Sequence, residues 1–198
     1  VHARVVRPPS YGAELIALDS TAVEKMPGVA KVVRDGNFLA VVASKEYQAV
    51  KAMQALASAA KWRETAQLPK QDNLPNVPTK LPSRDETIFQ QGNPSASGAR
   101  TIEATYTRPY QAHGSIGPSC AVAQSVNGIM TVWTHTQGVY PDRQGIAEML
   151  RVPPATVRLI HVEGSGCYGH NGADDAAADA ALIARALPGV PVRVQWMR

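Results

Sequence analysis

Two runs of alternating apolar and polar character, residues 120–126 and 129–135, flank the dipeptide Asn127-Gly128. Both residues tolerate positive φ, which a two-residue hairpin turn demands, and such a dipeptide between alternating runs is the strongest short-range hairpin signal a sequence offers. Antiparallel β structure is therefore expected in the second half of the chain. A second hairpin is expected earlier, with residues 30–34 and 38–43 joined by Asp35-Gly36-Asn37.

Other elements follow from spacing and punctuation. Residues 13–19 read as a strand, and Thr21 with Glu24 forms a capping box that starts a short helix ending at Pro27-Gly28. Ser44 is expected to cap a helix over 45–62, where Tyr47, Val50, Met53 and Leu56 recur at helical spacing. Residues 63–100 scatter Pro69, Pro75, Pro78, Pro82 and Pro94 among polar residues, which predicts an extended connector and a domain boundary. Beyond it, 101–107 reads as a strand, and Pro141 starts a helix that reaches Leu150 and is ended by Pro153-Pro154. A strand over 156–162, a glycine-rich turn over 164–172, an alanine-rich helix over 174–187 and a strand over 190–196 complete a βαβ-like order. The expected class is α+β: a small domain over 1–62, a linker over 63–100 and a second domain over 101–198.

Composition excludes several functions. At 198 residues and 44% apolar content the chain can bury a real core. A net charge of +4, with Lys and Arg scattered along the chain, does not make a nucleic-acid stripe. No apolar run approaches the ~18 residues of a membrane span, and the first residues carry no signal-peptide pattern. Cys120 and Cys167 lie in no CxxC, so neither a disulfide framework nor a zinc site is suggested, and a reducing compartment fits. The chain opens on Val1 and reads as a piece of a longer protein.

The loop Gly164-Ser165-Gly166-Cys167-Tyr168-Gly169 fits G-x-G-x-x-G between a strand and a helix. A nucleotide site would want an acid at the end of the following strand, which here reads Val192-Arg193-Val194-Gln195-Trp196. Asp174 and Asp175 would also repel a pyrophosphate at the helix start. The plain alternative is a tight connection with Cys167 and Tyr168 packed locally. The functional alternative is a loop whose glycines let backbone N–H groups approach an anionic or oxo ligand, with Ser165, Tyr168, His170 and Asn171 set among them.

At this loop the sequence resembles the molybdopterin-binding large subunits of the xanthine oxidase family. Other stretches agree: His2-Ala-Arg-Val-Val-Arg-Pro-Pro9 with Gly12, then Pro27-Gly28-Val29 and Phe38-Leu-Ala-Val-Val-Ala43, are similar to that family's α/β hammerhead domain. Pro109-Tyr-Gln-Ala-His-Gly-Ser-Ile-Gly-Pro-Ser-Cys120 is similar to the segment on the substrate side of the site, and Trp133-Thr-His-Thr-Gln137 to the stretch whose glutamine lies near the molybdenum ligands. The loop and the Gly114–Cys120 variant look most like the nicotinate dehydrogenase and isoquinoline 1-oxidoreductase types, with aldehyde oxidoreductases as neighbours.

The resemblance implies a hammerhead domain followed by the first part of a molybdenum-cofactor-binding domain. It implies hydroxylation of an N-heteroaromatic compound or an aldehyde, with oxygen drawn from water. Gln137, Gly164, Ser165, Gly166, Cys167, Tyr168 and Gly169 would face the cofactor, molybdopterin in its cytosine dinucleotide form; Gln111, His113 and Gly117 would face the substrate. The molybdenum would be held by the pterin dithiolene, so no protein metal ligand is expected, and His2, His135 and His161 receive no chemical role. Gly117 stands where many relatives have a glutamate, so a substrate-orienting carboxylate is missing there, and the family's catalytic base is expected beyond Arg198. The isolated piece is therefore expected to bind no cofactor and to be inactive. Expected partners are a [2Fe-2S] small subunit, a cytochrome c subunit as a further candidate, and a small-molecule substrate, with no nucleic acid; the expected location is cytoplasmic or at the inner membrane. A stand-alone binding or assembly module of the same fold is the rival reading.

Overall fold

A computed structural model of the chain describes residues 1–65, 68, 70–92, 102–111, 114–166, 168 and 173–197. They fall into two compact units, one of Val1–Ala66 with Ala112–Arg198 and one of Gln67–Gln111.

The first unit contains, in chain order, β1 (His2–Val6), β2 (Glu14–Leu18), α1 (Thr21–Glu24), β3 (Val29–Asp35), β4 (Phe38–Ala43), α2 (Glu46–Ala59), β5 (Ala60–Arg63), β6 (Cys120–Val126), β7 (Ile129–Thr134), α3 (Val139–Leu150), β8 (Val157–His161), α4 (Ala173–Arg185) and β9 (Val192–Gln195). Seven strands form one mixed sheet in the order β3-β4-β1-β9-β6-β7-β8, while β2 and β5 pair separately. The class is α+β, as the residue pattern implies.

The join at β1 changes the expected organisation. This strand runs antiparallel to β4, from His2↔Ala43 to Val6↔Leu39, and parallel to β9 at His2↔Arg193 and Ala3↔Val194. Residues 1–62 and 101–198 thus do not make separate compact bodies on either side of a linker: the strands of both lie in one sheet. The physical reason is that β1 has two hydrogen-bonding edges, and a buried edge left unpaired would strand backbone N–H and C=O groups away from water.

Alternation along β4 sorts the core. Leu39 and Val41 join Val6, Val23 and Leu56 on one face, whereas Ala40 and Val42 join Val132, Val194 and Ile183 on the other. Strands buried on both faces read as continuous apolar runs, as Phe38-Leu-Ala-Val-Val-Ala43 does. On the second of these faces α4 lies over β6, β7 and β9, with α3 beside it on β8. Ala176, Ala177, Ala180, Ala181 and Ala184 of α4 are all fully buried, so the helix sits close to the strands. On the first face α2 packs on β1 and β4. The side chains that β9, β6 and β7 present on that same face are therefore left for loops to cover.

Both hairpins form with the expected turns. Asn127 and Gly128 adopt φ of 48° and 79°, as a type I′ turn requires, between strands paired from Ala121↔Thr134 to Val126↔Ile129. Gly36 (φ 58°) closes β3 onto β4, with Asp35 opposite Phe38.

Several expectations are corrected. The helix over 45–62 stops at Ala59, because Ala60–Arg63 turns extended and pairs with β2. The N-cap of α1 is Ser20, whose hydroxyl donates to Glu24 Oε1 at 2.7 Å, so Thr21 is the first helical residue instead of the cap. Helix α3 begins two residues ahead of Pro141. It ends at left-handed Arg151 (φ 57°), where Arg151 N–H donates to Glu148 O and Val152 N–H to Ala147 O, both at 3.0 Å; this αL closure, ahead of Pro153, terminates it. Residues 102–107 form no strand. The βαβ order holds in direction only, since β8 and β9 are separated in the sheet by β7 and β6. In the second unit, Gln71–Asn76 and Pro78–Lys80 form short 3-10 turns instead of a fully extended connector. Among the described residues no helix is long and apolar enough to cross a membrane.

One charge cluster ties α2 to the centre of the sheet. Arg4, 3% exposed, donates to Glu46 Oε1 at 2.6 Å, and Arg193 Nη1 lies 3.3 Å from Glu46 Oε2. The Arg4 hydrogen bond, with smaller help from Arg193, holds the Glu46 carboxyl below its ordinary value, against the opposing effect of burial. A depressed folded value stabilises the fold above the unfolded value, near 4.5, and the contribution is lost as pH falls through the folded value. Glu46→Gln is expected to cost about 1 kcal/mol at pH 7, a modest figure because the carboxylate is half exposed and screened. The difference from the parent should shrink as pH falls below about 4.5 and on through the lowered folded value, which urea unfolding across pH would show.

Candidate functional site

The face of β9, β6 and β7 left open by α2 carries a cavity of about 310 Å³. Its floor is set by strand alternation. Val132 and Val194 point into the core under α4, so their neighbours Trp133 and Gln195 point the other way, together with Cys120 and Val122 of β6. Two loops, distant in sequence, close the cavity: Gly117-Pro118 ahead of β6, and Val162 to Ser165 after β8. They are tied by the Ile116 N–H donating to Ser165 O at 3.1 Å.

The glycines in these loops answer to contact. A Cβ at Gly117 would lie 2.7 Å from Ser165 Cβ, and one at Gly164 would lie 2.6 Å from His135 Cβ and 2.7 Å from its Nδ1. Gly166 adopts φ +112°, and a Cβ there would sit 2.6 Å from Tyr168 Cζ. Each glycine thus lets its loop lie against a side chain of the same unit.

The structure brings together three of the residues singled out in the sequence, Gly117, Gly164 and Ser165, around one cavity. Gly166 and Tyr168 continue the loop, with the Tyr168 ring against Gly166 and 52% exposed. Gln137 is exposed at the turn into α3, outside the cavity wall. Gln111 is exposed and belongs to the second unit. His113, Cys167 and Gly169, like His170 and Asn171, lie outside the described residues.

Sequence reasoning gave His135 no chemical role. It is 5% exposed, lines the cavity, and neither ring nitrogen has a hydrogen-bond partner among the described residues. The signal that would have found it is the period of two: His135 continues the outward face begun by Trp133, the face that no helix needs to cover. The other described histidines are differently placed. His161 Nδ1 meets Thr136 O at 3.0 Å, and His2 is pushed toward its neutral form first by burial and then by Arg193 and the N-terminus.

Comparison with known proteins adds an independent line. The profile described as "Molybdopterin cofactor-binding domain" matches residues 81–198, a stretch that includes every residue lining the cavity. A nicotinate dehydrogenase subunit of Pseudomonas putida (strain KT2440) is 37% identical across 100% of this chain and 17% of its own length. The aldehyde oxidoreductase molybdenum-binding subunit PaoC of Escherichia coli O157:H7 is 28% identical across 93% of this chain and 29% of its own. Among solved structures, the aldehyde oxidoreductase from Desulfovibrio gigas superposes with a TM-score of 0.75 at 19% identity, covering 98% of this chain and 26% of that one. The chain thus spans less than a third of each of these three proteins. With the profile matched over more than half of its length, the chain belongs to the molybdopterin cofactor-binding domain family.

Proposed function

We propose that this chain is part of the molybdenum-cofactor-binding subunit of an oxidoreductase that hydroxylates an N-heteroaromatic compound or an aldehyde, as the nicotinate and isoquinoline types do, with water as the oxygen source. The observation that carries the reading is the meeting of the 117–118 and 162–165 loops over a cavity that holds a buried imidazole with no partner among the described residues. Such a seat fits a polar cofactor, because glycines admit close approach and an unsatisfied buried donor gains most from a ligand. Molybdopterin, in its cytosine dinucleotide form, would supply the redox chemistry when bound, and a [2Fe-2S] subunit, with or without a cytochrome c, would take the electrons on.

The chain's own residues hold and shield. Ser165 and the Gly164 backbone offer hydrogen bonds at the cavity rim, while Val122, Val162 and the Trp133 ring give the wall its apolar surface. Gly117 leaves no carboxylate at the substrate segment, and the Ser165 side chain stands where its Cβ would go. Gln111 and His113 are kept as candidate substrate donors on the strength of the resemblance, and Gln137 as the candidate donor to an oxo ligand. The base and the remainder of the seat are assigned to the rest of the subunit.

The test is metal and pterin analysis of the full-length protein, followed by turnover of nicotinate, isoquinoline and benzaldehyde in ¹⁸O-labelled water. About one molybdenum per subunit and label in the product are expected. A folded, intact subunit with neither molybdenum nor pterin overturns the reading. The isolated 198-residue chain is expected to bind no molybdenum and to hydroxylate none of the three; stoichiometric metal in it would mean that the seat is complete without the rest.

A further inference from the structure

The feature of the cavity that packing does not account for is His135. Its side chain continues the outward face of β7 past Thr134, beneath Gly164, at a distance that only a glycine permits. Both ring nitrogens are buried, and neither has a hydrogen-bond partner among the described residues. A neutral imidazole carries one donor and one acceptor, and burying both unpaired is costly enough that folded proteins rarely keep such a group without a use for it. An apolar side chain of the same size would fill the space beneath Gly164 at less cost. His161 shows the contrast: it lies near the surface and is paired through Nδ1 to Thr136 O at 3.0 Å.

We infer that His135 is a cofactor-binding residue, its imidazole hydrogen-bonding the molybdopterin cofactor in the cavity between the 117–118 and 162–165 loops. The inference rests on the reading given under Proposed function. His135 already lines the cavity, so its ring stands at the wall against which a ligand would lie. The neighbouring polar side chain of the floor, Gln195, is already engaged by Arg193. Val122 supplies apolar surface, and the imidazole is a buried polar group at the cavity wall that gains a partner when a ligand enters.

The experiment uses the full-length protein, with His135→Phe to keep volume and remove both nitrogens, and His135→Asn to keep a donor and an acceptor. Molybdenum and pterin content, the Mo(V) paramagnetic resonance spectrum, and melting temperature with and without cofactor are read on each. His135→Phe is expected to lose at least five-fold in cofactor content, or to keep the cofactor with a shifted spectrum. The cofactor-free form should melt no lower than the parent, since two unpaired nitrogens have been removed. His135→Asn should recover most of the content. Parent-like content and spectrum in His135→Phe overturn the inference, and so does a change confined to substrate KM. A parent protein without molybdenum or pterin would instead bring down the reading of the site itself, and the two failures are thereby told apart.

Discussion

Ile183→Ala and Leu56→Ala are each expected to lower the unfolding free energy by about 2–5 kcal/mol, the range for truncating a fully buried aliphatic side chain. Both side chains are 0% exposed, yet they belong to different clusters, Ile183 on α4 and Leu56 on α2. The seven-stranded sheet separates them, so the two losses should add to within about 0.5 kcal/mol. A combined loss of that size approaches the whole stability of an ordinary domain, roughly 5–15 kcal/mol, and the double variant is expected to be largely unfolded at 37 °C. Urea unfolding of the single variants and far-UV circular dichroism of the double one would show this. A single variant that loses less than about 1 kcal/mol would mean that its cluster is not a packed core.

Gly166→Val in the full-length subunit is expected to give a folded protein with most of its cofactor lost. The cause lies within the chain itself. At φ +112° an L side chain is strained whatever lies around it, and the added Cβ also meets the Tyr168 ring before any ligand is considered. The local cost is about 1–3 kcal/mol, enough to shift the loop that closes the cavity without unfolding the sheet beneath. The control must be a glycine free of both problems. Gly12 is unsuitable, because its φ of +78° would strain any replacement. Gly145 is suitable: it is exposed in the interior of α3 with nothing within 4 Å of an added Cβ. Gly145→Ala should leave molybdenum content unchanged and raise stability by up to about 1 kcal/mol. Full molybdenum occupancy in Gly166→Val would reduce the glycine loop to a structural turn.

What was legible in the sequence depended on locality. Both hairpins were, because Asn127-Gly128 and Asp35-Gly36-Asn37 carry their turn chemistry within a few residues. The strand at 60–63 was not: Ala60-Lys-Trp-Arg63 continues a helical pattern, and only pairing with Glu14–Leu18, far back in the chain, makes it extended. The run at 102–107 shows the converse, β-favouring residues that no neighbouring strand receives, with Ile102 and Tyr106 left 79% and 91% exposed. At the site, the glycine loop stood out by composition and the segment around Gly117 by resemblance. His135 did not, since what distinguishes it is a buried ring with no hydrogen-bond partner among the described residues, a property no single residue letter contains.

The sequence by itself determined the α+β class, the two hairpins, the family and the loops worth watching, because turn propensity, side-chain periodicity and motif order are properties of neighbouring residues. Tertiary structure alone decided that β1 would lie between β4 and β9 and so merge two segments into one sheet. It also decided that the 117–118 and 162–165 loops would meet, and that a histidine would be sealed beneath Gly164. Those outcomes follow from which buried edges must find hydrogen bonds and which face the helices leave uncovered, and both are settled only when distant parts of the chain compete for the same surfaces.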